Sequence, residues 1–151
     1  MHLEGARQVA NWANLSTPVG LLVARLGGGS VVRAPRGIWV ATHVRSPLLR
    51  AHALTLGSVV LTPHSADWLQ QRPRLQAHEE RHAWQYVVCF GLPMLPMYAV
   101  AAGVSWVWCR NPGTRNPFEL LAGLADGGYP VTPAQARARY ADRRTRRGAR
   151  A

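Results

Sequence analysis

The sequence predicts a small α+β domain, on three observations. Two strand–turn–strand patterns enriched in β-branched residues precede residue 63. From Asp67 onward the chain is built of helix formers punctuated by proline and glycine. Its 151 residues, 48% of them apolar, suit one domain with a tail and are too apolar for a wholly disordered chain. Two cysteines cannot make a disulfide framework. All 18 basic residues are arginines, set against 7 acids for a net charge of +11, and the lack of lysine excludes a phosphate-binding Gly-Lys-Ser/Thr loop.

The first 50 residues carry the weakest signals. Glu4, Arg7 and Gln8 interrupt any apolar stretch near the start, so no export signal is expected there. A cytoplasmic setting, in which Cys89 and Cys109 stay reduced, is the default expectation. Ser16-Thr17-Pro18 opens a short helix over Val19 to Leu26, closed by Gly27-Gly28-Gly29. Val31-Val32 and Ile38-Trp39-Val40 flank the turn residues Pro35-Arg36-Gly37. Leu54-Thr55-Leu56 and Val59 to Thr62 flank Gly57-Ser58, and together the four segments predict a short antiparallel sheet.

Pro73 fits the first turn of a central helix running to about Phe90, with Gly91 as its stop. Val87 to Cys109 then carries no charge for 23 residues, long enough for a bilayer, but Pro93 and Pro96 break it near its start. A helix from Pro117 to about Ala125 follows, ended by Gly127-Gly128. Thr132, Pro133 and Gln135 read as an N-cap, a first-turn proline and a capping-box partner. Residues 132 to 151 hold seven arginines and one aspartate. The expected organisation is a single domain over residues 1–130 and an arginine-rich helix or tail over 131–151, largely solvated beyond Tyr140.

The central helix contains His78-Glu79-Glu80-Arg81-His82, the pattern His-Glu-x-x-His. Histidines four apart lie one turn above another on one helix face, so both imidazoles reach one ion. Glu79 is turned about 100° from His78 and approaches the ion's water without being a ligand. Random placement of these residue types yields the pattern in roughly 0.6% of shuffled sequences. The plainer alternative is a pair of surface histidines ion-paired with Glu79 or Glu80. A third ligand is needed. Glu119, near the start of a short helix in Asn116-Pro117-Phe118-Glu119, is one candidate; Asp126 is the other, or a partner for a histidine N–H. Gln85 and Val88 stand where a metzincin needs glycine and histidine, which excludes that class.

These residues resemble the zincin-like metallopeptidase family that carries His-Glu-x-x-His-x-x-Gln, including small bacterial proteins associated with extracellular contractile injection systems. The resemblance rests on Leu54-Thr55-Leu56-Gly57, on His78 to Gln85, and on Gly91-Leu92-Pro93, Pro96-Met97-Tyr98 and Asn116-Pro117-Phe118-Glu119, covering residues 53–129. It implies a compact zincin fold, Zn²⁺ at His78 and His82, Glu79 as general base and, by analogy with gluzincins, Glu119 as third ligand. Gln85 either lines the site or serves as a structural hydrogen-bonding group. Tyr129 and Arg81 are candidate donors to an oxyanion.

A single straight span over Val87 to Cys109 would carry His82 and Glu119 to opposite sides of a membrane, so sharing an ion requires the chain to reverse at Pro93 and Pro96. The resulting apolar helical hairpin is either a core element or dips into a membrane. The functional expectation is a zinc-dependent metallopeptidase acting on a peptide or protein. The alternatives are a non-catalytic zincin-like scaffold, or a basic protein held at an anionic membrane surface by the arginine tail and the hairpin. A nucleic-acid partner is not expected, because the arginines lack interleaved aromatics and a recognisable module.

Overall fold

The computed structural model describes residues 3–47, 49 and 52–148. The chain forms two compact units, Met1–Met94 and Leu95–Ala151.

In the first unit, α1 (Leu3–Ala13) and α2 (Ser16–Leu26) precede β1 (Ser30–Arg33), β2 (Trp39–Thr42), β3 (Leu54–Leu56) and β4 (Val59–Leu61), followed by α3 (Ala66–Gln70) and α4 (Pro73–Val88). Both expected strand pairs form. Arg33 lies opposite Trp39 across one, and Leu56 opposite Val59 across the other. Gly57, at φ 61°, takes the left-handed conformation that the tight second turn requires.

The expected antiparallel sheet is instead mixed, in the order β1-β2-β4-β3, because β2 and β4 pair in parallel with Val40 beside Val60. The two hairpins join through their second strands, which run in the same direction. These are also the most buried strands, and parallel pairs favour such interior positions. Val40 and Val60 pack with Ile38, Ala53, Leu69 and Ala83 on the face covered by α3 and α4. On the opposite face α2 comes so close that a Cβ on Gly20 would stand 2.6 Å from the Leu56 carbonyl oxygen.

The sequence signals did not reveal α1, because what it buries is polar. Arg7 and Asn11 are fully buried. Arg7 Nη1 pairs with Glu80 Oε1 at 2.8 Å, Nη2 donates to the Arg36 carbonyl, and the guanidinium lies 5.7 Å from the Trp84 ring centroid. Asn11 Nδ2 donates to the Ala83 carbonyl at 2.9 Å. These bonds tie α1 to α4. The central helix starts at Pro73 as expected, and the chain turns after it through Phe90 and Gly91, at φ 57° and 93°.

The second unit contains α5 (Met94–Cys109, entered from the first unit's last residue), α6 (Pro117–Ala122) and α7 (Pro133–Gly148). Among the described residues no helix is long and apolar enough to cross a membrane. The loop after α5 is organised by buried polar groups. Ser105 Oγ donates to the Asn111 carbonyl at 2.7 Å, and Asn111 Oδ1 accepts the Gly113 and Thr114 N–H groups. Asn116 caps α6 by accepting the Phe118 N–H at 3.0 Å. The helix stops at Ala122, short of Ala125, because Gly123 leaves helical space at φ 90°. Thr132 caps α7 by accepting the Gln135 N–H, while the Gln135 side chain takes the Val131 N–H. Beyond Tyr140 the described part of α7 is solvent-exposed throughout.

Removing the fully buried Arg7 takes from the half-buried Glu80 its shorter ion pair and leaves it, among the described residues, only the exposed contact with Arg36. Arg7→Ala is therefore expected to lower the unfolding free energy by about 3 kcal/mol in urea titrations. Arg36→Ala, whose pair with Glu80 is exposed, should cost less than about 1 kcal/mol in the same measurement.

Candidate metal centre

His78 and His82 both lie on the buried side of α4, at 2% and 7% exposure. Their Nε2 atoms are 3.1 Å apart and their rings meet edge-on. Two nitrogens on one tetrahedral zinc, each at 2.0–2.1 Å, would be separated by about 3.3 Å. The imidazole pair already stands at nearly that spacing.

His82 Nδ1 lies 2.8 Å from Gln85 Oε1. With the amide oxygen accepting, Nδ1 carries the proton and the Nε2 lone pair faces His78. The role left open for Gln85 in the sequence is thus, geometrically, that of a group that orients a histidine ring.

The two adjacent glutamates part company. Glu79 is buried, and its Oε2 accepts from Thr55 Oγ1 at 2.7 Å. Glu80 is occupied on the α1 side by Arg7 and Arg36. Burial of both imidazoles, with Glu80 so engaged, does not match a surface pair salt-bridged to that residue. Sequence reasoning missed Thr55 as a site residue. It sits opposite Val60 in the β3–β4 register, on the sheet face that α4 covers, and only that register brings it to Glu79. Arg81 is exposed on α4.

In the second unit Glu119 occupies the first turn of α6 and is 2% exposed. The Tyr98 hydroxyl, on α5, donates to Glu119 Oε1 and is also hydrogen-bonded with Tyr129. Burial, then the neighbouring Tyr129 and Glu119, push the Tyr98 hydroxyl far above the ordinary tyrosine range. Tyr98 is a second residue the sequence did not single out for the site; an aromatic in an uncharged run reads as packing. Tyr129 is half-buried against Gly113, where a Cβ would stand 2.3 Å from its ring. Asp126 is half-buried in the turn after α6, its N–H donating to the Gly123 carbonyl.

Comparison of the chain with protein-family models, curated proteins and solved structures gives no match.

Tyr86 and Tyr98 both have hydroxyls raised from the ordinary value of 10.0, each chiefly by burial. Their neutral forms are favoured in the folded state, so stability is retained below pH 10 and falls as pH rises beyond it, where the unfolded chain loses these protons. Absorbance titration at 295 nm should give the same phenolate signal at pH 11 for Tyr98→Phe as for the wild type. A clear loss of signal in the variant would show that Tyr98 titrates normally.

Proposed function

We propose that this protein is a zinc-dependent metallopeptidase of gluzincin type, in which His78, His82 and Glu119 hold the ion. One observation carries the reading: each of these buried residues offers a ligand atom, and the three atoms all lie within 4.8 Å of one another. Two neutral imidazoles and one carboxylate form a set that suits Zn²⁺ and keeps a fourth position for water, as catalytic sites do and closed structural sites do not. Glu119 rather than Asp126 is the acid in this group.

Zinc bound there supplies a Lewis acid that makes water nucleophilic near neutral pH and polarises a peptide carbonyl. The remaining tasks fall to the chain itself. Glu79 takes the proton from the attacking water and passes it to the leaving amine. Thr55 donates to Glu79 Oε2 and so fixes the orientation of the carboxylate for that exchange. Gln85 fixes the tautomer of His82, Tyr98 steadies one oxygen of Glu119, and Asp126 is the candidate partner for a histidine N–H. Arg81 and Tyr129 are the candidate donors to the developing oxyanion. The substrate is a peptide or protein, by the family resemblance. A cytoplasmic setting belongs to the same reading, in keeping with the free thiols of Cys89 and Cys109.

The purified wild type is expected to hold one zinc per chain by elemental analysis, and His82→Ala to hold none. Glu79→Gln should retain zinc while peptide hydrolysis drops by about 10²-fold or more. A wild type without stoichiometric zinc sinks the proposal; a zinc-loaded wild type whose peptide turnover is not lost in Glu79→Gln removes the catalytic assignment. Gln85→Leu should weaken zinc affinity by about 10–100-fold in competition with a chromophoric chelator.

A further inference from the structure

We propose that α5, with the arginine-lined cleft at its C-terminal end, binds the surface of an anionic phospholipid bilayer. The proposal stands independently of the metal site. Met94, Ser105 and Cys109 mark the buried side of α5. Met97, Val100, Val104, Val107 and Trp108 lie on the other side, 52% to 71% exposed. At 100° per residue these five fall within an arc of about 100°. A surface helix ordinarily carries charge on that arc, yet α5 has no charged residue. An exposed apolar stripe of this extent marks a site of contact with a membrane or a partner.

Three features select an anionic bilayer. The 16 residues of α5 extend for about 24 Å, less than the hydrocarbon thickness of about 30 Å, which suits a helix lying along the interface. Trp108, with Trp106 near it, ends the helix with the aromatic side chains that settle at headgroup level. Beside Trp108 is a cleft of about 310 Å³ lined by Cys109, Arg115, Pro133 and Arg137 together with the tryptophan itself. The Arg115 guanidinium lies 5.6 Å from the Trp108 ring centroid, and Arg137 donates to the Trp108 carbonyl at 3.0 Å. Two guanidinium groups with no acid between them suit a lipid phosphodiester, which accepts paired N–H donors. A second copy of the chain would instead bring another net charge of +11 to the same surface.

The test is co-sedimentation of the full chain with vesicles of phosphatidylcholine alone or mixed equally with phosphatidylglycerol, at low and high salt. The wild type should bind the mixed vesicles at least tenfold more tightly, with a blue shift of tryptophan emission, and should lose that preference at high salt. Val100→Asp/Val104→Asp/Val107→Asp should reduce binding tenfold or more, with the circular dichroism spectrum unchanged. Arg115→Gln, at an exposed position, should cost about fivefold on mixed vesicles and little on neutral ones. Failure to bind the mixed vesicles overturns the proposal, as does full binding by the triple variant. Displacement by millimolar glycerol phosphate would point to a soluble phosphate ester, and a concentration-dependent dimer abolished by the triple variant to self-association; either result also overturns it.

Discussion

The ion pair between the fully buried Arg7 and the half-buried Glu80 sets the roll of α4 about its own axis. A guanidinium removed from water costs several kcal/mol unless its donors find partners; here a carboxylate takes Nη1, a backbone carbonyl takes Nη2 and an aromatic ring lies beside the group, while Nε is buried without a hydrogen-bond acceptor among the described residues. Glu80 stands about 200° round the helix from His78. A helix that gives Glu80 to α1 must therefore turn both histidines away from α1. The Asn11 bond to the Ala83 carbonyl reinforces the same setting from the next turn of α1. Two adjacent glutamates thereby meet different neighbours: Glu80 pairs with Arg7 and Glu79 accepts from Thr55 on β3.

Polar side chains hold the candidate site residues in place. Thr55 positions Glu79 and Tyr98 positions Glu119 by donating to a carboxylate oxygen, and Gln85 positions His82 by accepting at its amide oxygen. Buried polar groups must find partners, and a group with one defined partner has one preferred rotamer. The supports come from a strand, from the next turn of the same helix and from α5, elements that ordinary packing already makes rigid.

The uncharged run illustrates how a local break changes the meaning of a composition. Residues 87–109 are long enough to be one span, but the chain divides them at Phe90 and Gly91, whose positive φ values end one helix before α5 begins. What would have been a continuous apolar rod becomes the end of α4 and a separate 16-residue helix. α5 then serves two ends: Tyr98 reaches Glu119, while the opposite face remains apolar toward solvent.

Local chemistry made much of this legible from the residues alone. The four-residue spacing of His78 and His82, Pro73 and Gly91 at the ends of the central helix, the Gly57 turn and the Thr132 cap each depend on neighbours in the chain, and each stands where expected. Gly123 shortened α6 for an equally local reason, overlooked in favour of the later glycine pair. The misses were of another kind. α1 buries an arginine and an asparagine, so its inward face carries no apolar period. The parallel pairing of β2 with β4 joins two hairpins whose internal patterns say nothing of each other. Thr55 and Tyr98 acquire their partners across 24 and 21 residues. Helix faces, turns and caps follow from rotation per residue and backbone sterics, which the sequence determines by itself; which strand lies beside which, and which buried polar group answers another, only the tertiary structure decided, because those choices minimise unsatisfied polar surface over the folded chain as a whole.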